Sequence, residues 1–138
     1  MDRVEKSIKL YKQGYNCAQS VFCAFLDLMD IDESTALKLT QPLGNGISTL
    51  KEVCGTVNGM ALVLGMLLGS DIPKDKETKR NLYNKVKELA NEFQKENGSL
   101  NCGILLESKD PNIKKKSCIE YVRCCAEMIE NYLAENKK

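Results

Sequence analysis

Seven cysteines in a 138-residue chain, with no histidine anywhere, decide which chemistry this sequence is able to do. Without histidine there is no Ser-His-Asp or Cys-His catalysis, no mixed Cys/His zinc site and no histidine-ligated haem. What remains is thiol redox chemistry or a metal or cluster held by cysteine alone. The count is odd and the spacings are not those of a small secreted disulfide scaffold. In a reducing compartment, cysteines beyond the needs of packing point to metal, cluster or thiol redox chemistry.

The seven are not one class. In Asn16-Cys17, Asn101-Cys102 and Ser117-Cys118 the cysteine directly follows a good N-cap residue and so occupies the first helical position. Gln19 and Glu120 complete the capping-box pattern at the first and third of these. Backbone N–H groups without helical partners and the positive end of the helix dipole meet at that position, and both favour thiolate over thiol. Cys54 stands in Val53-Cys54-Gly55-Thr56-Val57-Asn58-Gly59, read as the second turn of an apolar helix. Gly55 and Gly59 share a face of that helix, and a glycine inside a helix costs about 1 kcal/mol relative to alanine. Something must therefore approach the backbone closely, either a neighbouring helix or a bound cofactor. Close helix packing serves at least as well for Gly59, Gly65 and Gly69; at Gly55, beside the cysteine, the reading leans to the site. Cys23, Cys124 and Cys125 read as core, because free cysteine is among the most buried residue types and Cys125 lies two helical turns, roughly 10 Å, beyond Cys118.

Other chemistry is thin. Asp27, Asp30, Asp32 and Glu33 cluster between helices as caps and solvated turn residues, and no acid/base dyad emerges. Gly44-Asn45-Gly46 lacks the Gly-Lys-Ser/Thr ending of a nucleotide loop and is expected instead to shape the approach to Cys54. The net charge is +1 with the two signs interspersed, so no field draws the chain to nucleic acid or to a membrane surface. Lys114-Lys115-Lys116 and Lys137-Lys138 are short, solvated tracts. The start, Met1 to Lys6, has none of the apolar stretch of a signal peptide, and the run Met60–Leu68 is too short to span a bilayer. A cytoplasmic location without membrane insertion is the expectation.

The elements that must position the cysteines are helical nearly throughout. Val4, Ile8, Tyr11 and Tyr15 predict a first helix over about 2–13, stopped by Gly14. A second begins after Asn16 with Ala18, Val21, Phe22, Phe25 and Met29 on one stripe, and Asp32-Glu33-Ser34 offers a cap for a short third ending near Gln41-Pro42. Thr49 with Glu52 predicts a capping box that opens a fourth helix, apolar on nearly every face, reaching about Gly69. A long amphipathic helix spans 74–97, a short one 101–107, and the last follows Ser117 with Cys118, Val122, Cys125, Ile129 and Leu133 inward. No segment alternates with period two long enough to be a strand. The expectation is all-α: one domain over 1–138, a compact bundle of four long and two short helices around a glycine-containing central helix.

These residues bring a family into view. Gly14-Tyr15-Asn16-Cys17-Ala18-Gln19, then Val53 to Gly59 leading into Leu64-Gly65, then Leu100-Asn101-Cys102, then a lysine-rich approach to Cys118, closely resemble the C-GCAxxG-C-C family over essentially the whole chain. The resemblance implies a redox-active protein built on four shared cysteines, here Cys17, Cys54, Cys102 and Cys118. The family's Cys-Gly-Ala-x-x-Gly core has Thr56 in place of alanine. A related domain occurs in split-Soret cytochromes beside an iron–sulfur centre, and only that part could transfer to a chain without histidine.

The leading expectation is an iron–sulfur or other metal centre on these four cysteines, serving electron transfer or sensing with an unidentified redox partner. The long, irregular spacings differ from the Cys-x-x-Cys ligand pairs of ferredoxins and zinc ribbons. Two alternatives stay open: thiol–disulfide cycling of the same cysteines without metal, and a plain four-cysteine zinc site. Whether the chain acts as an enzyme, and whether the site is shared across a homodimer, the residues leave open.

Overall fold

The computed structural model describes residues 2–136, so Lys137 and Lys138 lie outside the described residues. Among the described residues the protein is 70% helical with no strand, and seven α-helices carry most of that. They are α1 (Arg3–Lys12), α2 (Cys17–Cys23), α3 (Glu33–Thr40), α4 (Gly55–Leu68), α5 (Lys76–Asn97), α6 (Cys102–Glu107) and α7 (Cys118–Glu135). The all-α bundle is as expected; the division into four long and two short helices is only approximate. No described helix is long and apolar enough to cross a membrane.

Helix starts follow local chemistry closely. Asp2, Asp32, Asp75 and Asn101 each cap their helix by accepting the N–H three residues on. Asn16 and Gln19 form the full capping box at α2, with both bonds at 2.9 Å. Two expected boxes do not form. Ser117 caps α7 by position but makes no side-chain bond.

The Thr49–Glu52 pair fails because longer-range pairing takes its backbone. Residues Asn45 to Thr49 all have positive φ, a left-handed turn in place of a helix start. The chain then runs extended beside Asn101: Cys54 N–H donates to Leu100 O at 2.7 Å, and Cys102 N–H to Glu52 O at 2.6 Å. The helix therefore begins at Gly55, and Cys54 is its N-cap residue rather than part of a second turn.

The second helix is also shorter than its stripe. At Phe22 the hydrogen bonding tightens to a three-residue repeat, and a 3₁₀ turn over Leu26–Leu28 follows. Phe25 stays fully buried while Asp27 swings out to meet the Arg3 guanidinium, which also reaches Glu130 of α7 at 2.8 Å. Arg3 thus ties the first helix, the 3₁₀ turn and the last helix together, and Asp27, an exposed turn residue as expected, is also its ion-pair partner.

The apolar α4 is central, packed on α2, α5 and α7. A Cβ at Gly59 would lie 2.8 Å from Ala18 O and 3.2 Å from Val21 Cβ, so this glycine lets α2 and α4 touch backbone to backbone. Phe22, Phe25, Met60, Leu64, Phe93 and Tyr121 fill the centre, all fully or almost fully buried.

Candidate functional site

The four cysteines singled out from sequence come from four different helix starts and meet. Cys17, Cys102 and Cys118 are the first residues of α2, α6 and α7, and Cys54 caps α4. All four line one cavity of about 10 Å³, room for about one water molecule, walled by Leu105, Leu106 and Tyr121. Cys17, Cys54 and Cys102 are buried, whereas Cys118 is half-buried. None of the seven cysteines is in a disulfide.

Two backbone devices hold the sulfurs together. The short antiparallel link from Glu52–Cys54 to Leu100–Cys102 fixes Cys54 beside Cys102. The left-handed turn wraps the other side, where a Cβ on Gly46 would lie 2.7 Å from Cys102 Cβ. Gly44-Asn45-Gly46 thus shapes the wall at Cys102, and Asn45 lines the same cavity as Cys17 and Cys54. A Cβ on Gly55 would fall inside contact distance of Cys17 Sγ and 3.0 Å from Leu43 O. Gly55 therefore makes room for a site sulfur, while Gly59 makes room for a helix and touches no site residue.

Burial pushes all three inner thiols up: Cys17, Cys102, and Cys54 as far as about 12. Opposing this, the neighbouring backbone of Asn45 and Ala18 lowers Cys17, and the Thr56 hydroxyl, 3.0 Å from Cys54 Sγ, lowers Cys54. The sulfurs also sense one another, Cys17 being raised further by Cys118 and Cys54 by Cys17. The site resists charge as it stands, yet donors are aimed where charge would form.

Beside the cavity is an open cleft of about 340 Å³ lined by Tyr11, Gly14, Tyr15, Asn16 and Asn45, with Cys17 and Cys118 belonging to both. The Tyr11 phenol is pushed up by burial and then by the adjacent Cys118 thiol. Tyr11 had read as core stripe, and Asn45 as a loop residue between glycines; no spacing rule signalled that either meets a cysteine.

A family model described as "Putative redox-active protein (C_GCAxxG_C_C)" matches residues 15–132, an interval that holds all four cavity cysteines. The chain belongs to this family. No curated protein and no solved structure matches it. The C-GCAxxG-C-C match starts at the tyrosine next to the cleft and ends within α7, so it spans every helix start that carries a cavity cysteine.

The remaining cysteines stand apart from the cavity lining. Cys23 is buried within α2, and burial pushes it up to about 11. Cys124 lies between α5 and α7, 3.6 Å from both Asn97 Nδ2 and Glu96 Oε2. Cys125 is fully buried, and burial pushes its thiol well up. Among the described residues, no group of three or more Cys, Asp or Glu is gathered tightly enough to hold a single metal ion.

Proposed function

We propose that Cys17, Cys54, Cys102 and Cys118 are the ligands of an iron–sulfur cluster used for electron transfer or sensing. The observation that carries this reading is the convergence of four cysteines, each from a different helix start, on one mostly dry cavity. A zinc ion with Zn–S bonds of about 2.3 Å draws its four sulfurs to within roughly 4 Å of one another. Among the described residues no three of these cysteines are gathered for a single ion, and a cluster, which spreads its thiolates over more than one iron, asks less of their spacing. The Thr56 hydroxyl stands 3.0 Å from the Cys54 sulfur, and a donor so placed tunes cluster potentials. When bound, the cluster supplies one-electron chemistry; the chain supplies ligands, donors and exclusion of water. A redox partner would reach the centre through the cleft, where Cys118 and Cys17 are nearest to solvent.

A second reading, thiol–disulfide exchange, is favoured by the half-buried Cys118 sharing that cleft with Cys17. Against it, exchange needs a thiolate, and burial holds Cys17 and Cys54 protonated at neutral pH.

Protein purified without oxygen should carry iron and acid-labile sulfide and absorb in the visible. Serine at any of the four positions should abolish this, and Cys23→Ser should not. Colourless protein that takes up no iron and sulfide on reconstitution would overturn the proposal. Zinc bound one per chain would replace it with a structural site, and loss of free thiols under mild oxidant, without metal, with disulfide chemistry.

A further inference from the structure

The Thr56 hydroxyl is buried with sulfur beside it. Thr56 is fully buried at the second position of α4. A helical threonine ordinarily bonds the carbonyl four residues back, but here that carbonyl belongs to Glu52, outside the helix, and accepts the Cys102 N–H. The hydroxyl lies instead 3.0 Å from Cys54 Sγ. Sulfur in a neutral thiol is a weak partner, so burying a hydroxyl against it leaves much of a desolvation penalty of about 1–3 kcal/mol uncompensated. Alanine, which the family pattern has at this position, would carry no such penalty. A hydroxyl gains its full worth against an electron-rich sulfur, because charge-assisted hydrogen bonds are about twice as strong as neutral ones.

We propose that Thr56 is a tuning residue of the site: its hydroxyl donates to the Cys54 sulfur and stabilises the reduced, electron-rich state of the centre. A donor to sulfur favours the state that holds the extra electron, so it raises the reduction potential. This inference rests on the four-cysteine centre proposed above. It adds a residue that is not itself a ligand.

The test compares Thr56→Val, which keeps the side-chain shape and removes the hydroxyl, with Thr56→Ser, which keeps the hydroxyl. One readout is the infrared S–H band of Cys54 in reduced, iron-free protein, assigned by its loss in Cys54→Ala. The other is the midpoint potential of protein loaded anaerobically with ferrous iron and sulfide. Thr56→Val should move the band and lower the equilibrium constant for reduction about tenfold, which is about 59 mV for a one-electron centre. Thr56→Ser should leave both near the parent values. A band unmoved by Thr56→Val overturns the contact, and a moved band with unchanged potential overturns the tuning. Parent protein that takes up no iron refutes the centre itself, and the tuning role falls with it. Should Thr56→Val lose helicity by circular dichroism, Thr56→Ala takes its place under the same two readouts.

Discussion

Two glycines on one helix should respond to the same substitution with opposite signs. Replacing a helical glycine with alanine gains up to about 1 kcal/mol where space allows. Around Gly65, nothing lies within 4 Å of an added Cβ, so Gly65→Ala should stabilise by roughly 0.5–1 kcal/mol. At Gly55 the added carbon would press on Cys17 Sγ and sit 3.0 Å from Leu43 O and 3.5 Å from Ala18 N. Two of those three atoms are backbone, and the Cys17 side chain is walled in with only 9% of the residue exposed. Overpacking of this kind costs about 1–3 kcal/mol. At the first helical position little propensity gain offsets it, so the two variants should differ by about 2 kcal/mol or more. Urea unfolding under reductant, with the slope unchanged between variants, reads the difference as a shift in midpoint. Finding Gly55→Ala as stable as Gly65→Ala would refute the placement of Cys17 against the first turn of α4, and with it the closed side of the cavity.

Two further outcomes test accessibility and burial. Iodoacetamide on the folded, metal-free protein should modify Cys118 first, with Cys17, Cys54, Cys102 and Cys125 on the order of tenfold slower or more; peptide mapping that finds Cys54 labelled before Cys118 would contradict the geometry. Burial holds Cys54 up to about 12 and Cys23 up to about 11, against an ordinary value of 9.0. Between pH 9 and 12 the unfolded chain therefore releases protons that the folded chain keeps. These thiols' contribution to stability is fully present below about pH 9 and falls above it, by up to about 1.4 kcal/mol per pH unit for each thiol. Urea midpoints measured from pH 7 to 10.5 check this, and the loss should shrink in Cys23→Ala.

What was legible in the sequence was whatever rests on neighbours along the chain. Asn16-Cys17 and Asn101-Cys102 put the cysteine first in its helix because an asparagine side chain captures the N–H three residues on, and the structure keeps both bonds. Thr49-x-x-Glu52 has the same form and misleads. The backbone of Glu52–Cys54 is claimed by Leu100–Cys102, almost fifty residues away, and no local pattern announces that pairing. The error hid a regularity, since placing Cys54 in a second turn made it the exception when it too stands at a helix start. Gly55 and Gly59 looked alike on one face, yet one clears a sulfur and the other a helix. Cys125 was read by its distance from Cys118 along α7; its approach to Thr56 and Cys54 depends on how α7 packs against α4, which spacing within one helix does not encode.

Burial and hydrogen bonding pull the inner sulfurs in opposite directions, and the conflict bears on mechanism. A cysteine built for nucleophilic exchange sits partly exposed in an electropositive setting that lowers its pKa. Cys54 has the reverse: it is 5% exposed and pushed up to about 12, while the Thr56 hydroxyl lies 3.0 Å from its sulfur. Donors aimed at a neutral thiol accomplish little; aimed at a thiolate that shares its charge with iron, they stabilise the centre and set its potential. Dry walls of Leu105, Leu106 and Tyr121 strengthen every such interaction by keeping water out. On this reading the raised thiols belong to the protonated, metal-free form, and iron must displace protons to bind. Iron uptake should therefore steepen with rising pH and release protons, a stoichiometry that calorimetry in buffers of different ionisation enthalpy measures directly. Uptake independent of pH, with no proton release, would mean that the iron binds somewhere other than these four cysteines.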